Sequence, residues 1–309
     1  MERYQLSLVS FLYYQKGMSQ HEIADKFGLS NMTVSRLLQR AKEHEIVKIH
    51  VSFPFEIDDS ISNSLETQYG IKKAIVIKSE GLSDEEKSEL IGRIWAFNMN
   101  LSYRNDYVLG LGLGITIGHM VKYLLPMKTK NVHVVQLMGG LTDVTYKSPF
   151  TIVQETCRKL HAQGTYVTSS VVVENKKVRD SVLYDTPTGK QIRDLWNKCD
   201  EAIFGIGTID KGYILSPELV HGHDIEELRR DGVIGDIMGH CINAKGEFVS
   251  THLEERLVHV PLEIFKKLPE RIAIAGGKKK ADTIRAALLS GIITTFVTDK
   301  ETAKNLLNQ

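Results

Sequence analysis

Polar side chains recur along residues 31–40 at spacings that place them on one side of a helix, and their groups could read DNA. Amide, hydroxyl and guanidinium groups can exchange hydrogen bonds with base edges in the major groove. We predict that one set meets bases, namely Asn31, Ser35, Arg36 and Gln39. A second set is predicted to lie near phosphates, namely Gln20, Thr33 and Arg40. The predicted partner is therefore double-stranded operator DNA.

Two short helices joined by a tight turn must position these side chains. Ser19 and Glu22 have the spacing of a capping box, which would begin the first helix. Gly28 follows where the chain must turn through a left-handed conformation, and Ser30 can cap the second helix. The second helix would bury a single stripe, formed by Val34, Leu37, Leu38 and Ala41. The pattern is typical of a helix-turn-helix; the alternative is a plain helical hairpin with a solvated polar face.

Glycine-rich segments are the second feature that could support chemistry, and they lie at 110–116, 205–208 and 276–277. Each follows a predicted strand, and ligands of doubly wound sheets bind beyond the carboxyl ends of the strands. Glycines let the backbone approach an anion, and Thr116 adds a hydroxyl at a helix start. The first segment matches neither the dinucleotide fingerprint nor the Walker loop, and we predict no cofactor. A purely structural tight turn is the alternative.

Charged side chains could complete a ligand site near these loops. Lys278, Lys279 and Lys280 come at the start of a predicted helix, where the helix dipole disfavours cations. A bound anion would offset that cost, whereas a solvated charge run would need no ligand. Asp236 is a carboxylate in an otherwise apolar stretch. It could accept hydrogen bonds from sugar hydroxyls, or it could simply hold a turn.

Histidine and cysteine positions indicate neither a metal site nor a catalytic dyad. The histidines of the second half lack a recognised metal spacing, and they are His221, His223, His240, His252 and His259. We predict surface or core histidines and no metal. His240 and Cys241 are neighbours, so in a strand their side chains would point to opposite faces. The three cysteines form no CxxC motif, which indicates reduced thiols in a cytoplasm.

The totals indicate about two domains of an ordinary globular protein. The chain has 309 residues, 42% of them hydrophobic and 25% charged, with a net charge of +1. The apolar run at 6–14 is too short to span a membrane, and we predict that it forms the first helix of a DNA-binding domain. That domain is predicted to cover residues 1–54 and to include one strand of a wing at 46–51. A ligand-binding and oligomerisation domain is predicted over residues 55–309.

Short apolar runs alternate with helical patterns through the second predicted domain. Strands are predicted at 74–77, 107–111, 132–137, 166–173, 202–206, 271–275 and 293–297. Helices are predicted at 57–69, 83–102, 115–125, 150–162, 188–199, 279–289 and 301–307. This alternation is typical of a doubly wound α/β domain, whose mainly parallel sheet is covered on both faces.

Several motifs together resemble one known family along the whole chain. They are SQHEIADKFGLSNMTVSRLL at 19–38, GLGLGIT at 110–116, QLMGG at 136–140, FGIGTID at 204–210, GVIGDIMG at 232–239 and AIAGGKKKADTIRAALLSGIITTFVTDKETAKNLL at 273–307. The chain resembles the SorC family of bacterial transcription regulators. The resemblance implies a sugar-phosphate-isomerase-like domain that senses sugars or sugar phosphates, homodimers or homotetramers, and control of sugar-utilisation operons. It implies ligand-facing positions at Gly112, Gly114, Thr116, Asp236 and Lys280.

The preferred hypothesis is therefore a DNA-binding regulator whose operator affinity is set by a sugar or sugar phosphate. The main alternative is a sugar-phosphate-isomerase-like enzyme with an appended helical domain. Such an enzyme needs a general base near the substrate carbon, and Asp236 is the only candidate in the sequence. A third possibility makes residues 1–54 a protein-interaction module, which the polar face of the second helix disfavours.

Overall fold

The computed structural model describes residues 2–308 except 54, 103, 141–147, 211, 213, 216–218 and 221. The chain divides into two compact units, residues 1–54 and residues 55–309. Each unit has its own hydrophobic core.

Three α-helices form the first unit: α1 at Glu2–Ser10, α2 at Gln20–Phe27 and α3 at Asn31–Glu43, with a π-helical turn at Phe11–Gln15. Both predicted caps before α2 and α3 are present. Ser19 and Glu22 form the capping box, and Gly28 ends α2 in the left-handed region at φ +63°. The core of this unit consists of Leu6, Val9, Ile23, Ala24, Val34, Leu37, Leu38 and Ala41. The helix-turn-helix geometry follows directly from these local signals.

The predicted wing strand does not form, so that prediction is corrected. Residues 46–53 contain no strand, and the described part of this unit offers no second strand with which they could pair. The amides of Ile46 and Val47 donate instead to the carbonyl of Ala41, at 2.9 and 3.1 Å, which ends α3. Ile49 and Val51 are 59% and 62% exposed. An alternating pattern alone cannot make a strand where a hydrogen-bonding neighbour is missing.

A seven-stranded, all-parallel sheet forms the centre of the second unit, which confirms the α/β prediction. Its strands are β1 (Lys73–Ile77), β2 (Tyr107–Leu111), β3 (Val132–Gln136), β4 (Gln163–Thr165), β5 (Glu201–Phe204), β9 (Glu270–Ile274) and β10 (Thr295–Asp299). A small antiparallel sheet consists of β6 (Gly207–Thr208), β7 (Val233–Ile237) and β8 (His240–Asn243). The large sheet has the order β1-β10-β9-β5-β2-β3-β4.

Helices cover both faces of the large sheet. They are α4 (Asp59–Tyr69), α5 (Asp84–Ser102), α6 (Ile115–Tyr123), α7 (Pro149–Leu160), α8 (Lys176–Tyr184), α9 (Pro187–Trp196), α10 (Gly222–Arg230), α11 (Leu262–Phe265), α12 (Ala281–Leu289) and α13 (Lys300–Leu307). Alternate residues of β1 enter different cores: Ile75 packs in the cluster that contains Ile117 of α6, and Val76 in the one that contains Trp196 of α9. Both faces of the sheet are therefore buried.

Two predictions of local structure in this unit are corrected. The strand predicted at 166–173 is not formed, because the strand that pairs with β3 lies earlier, at β4. Residues 170 and 172 make only isolated bridges, to Gly140 and Leu257. The antiparallel pair β7 and β8 was not predicted, since the glycines around Asp236 resemble a turn. Strand pairing depends on distant neighbours, which local patterns do not specify.

A close approach of α5 and α6 fixes where α6 begins. Gly92 of α5 faces the first turns of α6, where a Cβ atom would come within 2.6 Å of the Thr116 carbonyl oxygen and 2.7 Å of the Met120 amide nitrogen. A side chain larger than hydrogen would force these helices apart. Gly92 therefore positions the loop between β2 and α6, which forms part of the site described below.

A buried carboxyl at the start of β5 makes the stability of this unit dependent on pH. One oxygen of Glu201 accepts a hydrogen bond from the Tyr107 hydroxyl. The other oxygen is buried and has no partner among the described residues. Burial raises the pKa of Glu201 to about 7. The unfolded chain, with its ordinary carboxyl pKa, releases the Glu201 proton near pH 4. Between about pH 4 and pH 7 the folded state therefore holds a proton that the unfolded chain has lost.

The Glu201→Gln variant should therefore be more stable than the unsubstituted protein at pH 8, because it removes a charge that the fold buries. The advantage should reach about 1–3 kcal/mol at pH 8 and shrink by about 2 kcal/mol at pH 5, where the carboxyl is protonated in the folded state. Urea unfolding of both proteins at the two pH values measures the difference. A gap that does not change with pH would contradict this account of Glu201.

Candidate effector pocket and DNA-contacting helix

A cavity of about 510 Å³ lies at the carboxyl ends of β2, β5 and β9 in the second unit. Its walls come from the loop before α6, the loop between β5 and β6, the loop after β9, the small antiparallel sheet and the first turn of α5. This is the edge of the sheet at which doubly wound folds bind ligands. All three glycine-rich segments singled out in the sequence contribute to the walls of this cavity.

Four of the five predicted ligand-facing residues line the cavity, namely Gly114, Thr116, Asp236 and Lys280. The structure corrects the fifth. Gly112 is buried behind the wall, where its amide donates to the Ile203 carbonyl at 2.9 Å. A Cβ atom on Gly112 would come within 2.6 Å of the Met238 sulfur. Gly112 therefore packs behind the Met238 side chain and is not among the residues that line the cavity.

The N-terminus of α6 opens onto the cavity. Gly114 precedes the helix at φ +137°, and no side chain caps the first turn. Thr116 lies in that turn, and its hydroxyl is 2.8 Å from the Ser88 hydroxyl of α5. The uncapped amides and the positive end of the helix dipole form a site for an anion, such as a phosphate.

Asp236 provides a buried hydrogen-bond acceptor at the cavity wall. The residue is 3% exposed, and its Oδ2 accepts a hydrogen bond from the Gly239 amide at 3.0 Å. Its Oδ1 has no partner among the described residues. Burial raises the pKa of Asp236 above its ordinary value, while the Gly239 amide acts in the opposite direction. A ligand hydroxyl could satisfy Oδ1, since an unpaired buried acceptor is costly.

Lys280 supplies a cation to the same cavity. Its ammonium donates to the Ile206 carbonyl at 3.1 Å. Burial lowers the pKa of Lys280, against the effect of the Asp236 carboxylate, which raises it. The three lysines form a 3₁₀ turn, in which Lys278 and Lys279 are exposed. Lys279 also lines the cavity, whereas Lys278 does not. The ammonium group of Lys278 is therefore solvated, whereas the Lys280 side chain is partly buried.

The first turn of α5 is the part of the cavity wall that the sequence analysis missed. Asp84, Glu85 and Ser88 line the cavity from this turn. A signal was present: α5 follows the parallel strand β1, and a helix that follows a parallel strand begins near the carboxyl edge of the sheet. The remaining wall is largely apolar, with contributions from Leu113, Met138, Ile206, Ile214, Met238 and Ile274.

In the first unit, α3 exposes all six of the residues predicted to contact DNA from this helix, which are Asn31, Thr33, Ser35, Arg36, Gln39 and Arg40. The seventh, Gln20, is partly buried in the first turn of α2. Arg36 makes no hydrogen bond or ion pair with any described residue, whereas Arg40 is paired with Glu2. The exposed face thus carries an uncommitted guanidinium in the second turn of α3, and the N-terminal part of such a helix enters the major groove in helix-turn-helix proteins.

Comparison with protein families assigns each unit a match. Residues 54–308 match the family model described as "Putative sugar-binding domain", and residues 11–44 match the model of Sigma-70, region 4. The second match coincides with the helix-turn-helix. No described helix has the length and apolar character needed to cross a lipid bilayer.

Individual relatives match along almost the whole chain. The deoxyribonucleoside regulator of Bacillus subtilis (strain 168) is 30% identical over 311 residues, which cover 99% of this chain and 98% of the relative. The transcriptional regulator LsrR of Escherichia coli (strain K12) is 28% identical, with 99% and 95% covered. The crystal structure of the full-length sorbitol operon regulator SorC from Klebsiella pneumoniae superposes with a TM-score of 0.78 at 25% identity, and 98% of each chain is covered.

Two glycines, Gly205 before β6 and Gly207 at its start, allow a test of how tightly the Asp236 carboxylate is enclosed. A Cβ atom on Gly207 would lie 2.3 Å from Asp236 Oδ1, whereas one on Gly205 would meet nothing closer than the Leu113 carbonyl at 3.6 Å. Gly207→Ala should therefore destabilise the second unit by about 1–3 kcal/mol through overpacking. The matched Gly205→Ala variant should change stability little. Urea unfolding measures both, and equal effects would show that the Asp236 carboxylate is not confined by Gly207.

Proposed function

The chain belongs to the SorC family of bacterial transcriptional regulators and is an effector-controlled DNA-binding regulator. We propose which of its residues bind the effector and which contact operator DNA. The effector, a sugar or sugar phosphate, binds in the 510 Å³ cavity. Its binding changes the affinity of α3 for operator DNA. The observation that supports this most directly is the cavity itself, which combines an uncapped helix N-terminus, a partly buried lysine and a buried, half-satisfied carboxylate.

Each polar group of the cavity suits a different part of such an effector. Asp236 Oδ1 accepts a hydrogen bond from a sugar hydroxyl, because it is the unsatisfied atom of a buried carboxylate. Lys280 and the first amides of α6 bind the most negative group, which in a sugar phosphate is the phosphate. The apolar wall packs against the carbon skeleton. Two relatives are named for related compounds: a deoxyribonucleoside, which contains a sugar, and sorbitol, which is a sugar alcohol.

On the DNA side, the exposed face of α3 enters the major groove. Asn31, Ser35, Arg36 and Gln39 contact bases, and Gln20, Thr33 and Arg40 lie near phosphates. Salt-dependent affinity comes from phosphate contacts, and α3 carries only three basic residues, Arg36, Arg40 and Lys42. A homodimer or homotetramer, with two copies of α3 on successive half-sites, would supply the missing affinity.

The protein acts on its effector by binding and not by turnover. Isomerisation of a sugar phosphate needs a general base together with an acid. No histidine or cysteine belongs to the described lining of the cavity, and the lining acids Asp84 and Glu85 are exposed residues of α5. Asp236 is held by the Gly239 amide and enclosed by Gly207, so it has little freedom to reach a substrate carbon. Incubation with candidate sugar phosphates, followed by product analysis, tests this directly.

The Arg36→Ala variant should lose operator affinity while its effector binding is unchanged. Loss of a bidentate arginine–guanine contact costs about 1–3 kcal/mol, which is roughly tenfold or more in affinity. Lys42→Ala is the matched control, because it removes the same charge from the last turn of the same helix. Fluorescence anisotropy with labelled operator DNA measures both variants. Unchanged affinity of Arg36→Ala would contradict the assignment of the recognition face.

The Lys280→Met variant should show the reverse behaviour. Methionine keeps much of the side-chain volume but removes the cation, so effector binding should weaken roughly tenfold or more. Operator affinity without effector should be unchanged. A thermal-shift screen of sugars and sugar phosphates on the unsubstituted protein identifies the ligand, because a ligand that binds the folded state raises the melting temperature.

Lys278→Met is the control for Lys280→Met, since Lys278 belongs to the same turn but lies outside the cavity. It should bind the identified ligand as the unsubstituted protein does. Equal losses in both variants would point to a general effect of charge, and no loss in Lys280→Met would remove Lys280 from the site.

A further inference from the structure

Two buried histidines and a glutamate converge at a second place in the ligand-binding unit. His240 on β8 is 2% exposed, and His259 is 5% exposed. Their ring centroids are 4.3 Å apart. Glu254, from the 3₁₀ turn Glu254–Arg256, places a carboxylate oxygen 3.0 Å from His240 Nδ1. One donor atom from each of the three side chains lies within 4.8 Å of the others.

The hydrogen bonds of the two rings orient them as metal ligands are usually oriented. His240 Nε2 is 3.0 Å from the Val260 carbonyl, and His259 Nδ1 is 2.8 Å from the Met238 carbonyl. A carbonyl oxygen can only accept, so both of these nitrogens carry hydrogen and donate. The lone pairs available for coordination are then on His240 Nδ1 and His259 Nε2. Metal-bound histidines typically donate their other ring N–H to a carbonyl or carboxylate in this way.

Space for an ion and its water is present beside the three side chains. A cavity of about 280 Å³ is lined by His240, Glu254 and His259, together with Thr251. The second cluster of this kind, Asp224, Glu227 and His252, differs in one respect. Arg256 already lies 3.2 Å from the Asp224 carboxylate and balances its charge. Among the described residues, no arginine or lysine forms an ion pair with the His240 cluster, and Arg179, which lines the same cavity, is paired with Asp180.

We propose that His240, Glu254 and His259 bind a divalent transition metal, with Zn²⁺ as the best match. Two imidazole nitrogens and one carboxylate form a common three-ligand set for zinc, and the adjoining cavity leaves the fourth position to water. Donor atoms in a tetrahedral zinc site are about 3.4 Å apart, so the spacing of the three donor atoms must adjust slightly on binding. Glu254 can make this movement because it is partly exposed. The ion would lie between His240 Nδ1 and the Glu254 carboxylate, whose nearest atoms are 3.0 Å apart.

The metal site shares a short backbone segment with the effector cavity. The Met238 carbonyl accepts from His259, and the Met238 side chain lines the effector cavity. The next residue, Gly239, donates its amide to Asp236. A metal that fixes His259 therefore also fixes the segment that holds the Asp236 carboxylate. This coupling rests on the proposed function, whereas metal binding itself does not.

Zinc binding to the full chain tests the proposal without any effector. Protein stripped with a chelator is titrated with Zn²⁺ alone against a zinc-binding dye, and one ion per chain should bind with micromolar affinity or tighter. Glu254→Gln keeps the size of the side chain and removes the anionic ligand, so it should weaken binding roughly tenfold or more. His252→Gln, in the second cluster, is the matched control and should bind as the unsubstituted protein does. Circular dichroism checks that both variants are folded.

Cobalt substitution identifies the ligands. Co²⁺ in this site should show tetrahedral d–d absorption without sulfur-to-cobalt charge transfer, because no cysteine belongs to the cluster. The proposal is overturned if the protein takes up no zinc, if Glu254→Gln binds it equally well, if His252→Gln loses it, or if a sulfur band appears. These outcomes are separate from the operator and effector tests, which do not use zinc.

Discussion

One buried carboxylate, that of Asp236, constrains the residues packed around it in the wall of the cavity. A charge removed from water must be compensated by hydrogen bonds or opposite charge, and this one is compensated only in part. The Gly239 amide bonds one oxygen, and Lys280 supplies a nearby cation. The other oxygen has no partner among the described residues. On the proposed function, this unsatisfied oxygen is the place for a ligand hydroxyl.

The glycines around this carboxylate have different physical roles, although they look alike in the sequence. Gly114 takes a backbone conformation, φ +137°, that side chains rarely allow, and it leaves the start of α6 uncapped. Gly207 leaves room for the carboxylate, and Gly92 lets α5 and α6 approach closely. Gly112 packs against Met238 behind the wall. Glycine-rich segments therefore mark the cavity in the sequence, but they do not show which glycine faces it.

Features set by local interactions could be predicted from the sequence, and features set by distant partners could not. The capping box at Ser19, the turn at Gly28 and the buried stripe of α3 depend on residues a few positions apart. The predicted wing strand does not form, because the described part of the first unit offers no strand with which it could pair. Four of the five predicted ligand-facing residues line one cavity, because the edge of a parallel sheet gathers its loops. His240, Glu254 and His259 have no metal-site spacing, since only the tertiary fold brings them together.

A shared segment between two binding sites has a thermodynamic consequence. On the proposed assignments, residues 236–240 connect the Asp236 carboxylate in the effector cavity to the histidine cluster. The connection runs through the Gly239 amide and the Met238 carbonyl. If a metal ion raises effector affinity by fixing this segment, the effector must raise metal affinity by the same factor, because coupling free energies are reciprocal. Only a difference in affinity between two states can transmit a signal. An ion that held the segment equally well in both states would increase stability but would leave control of the operator unchanged.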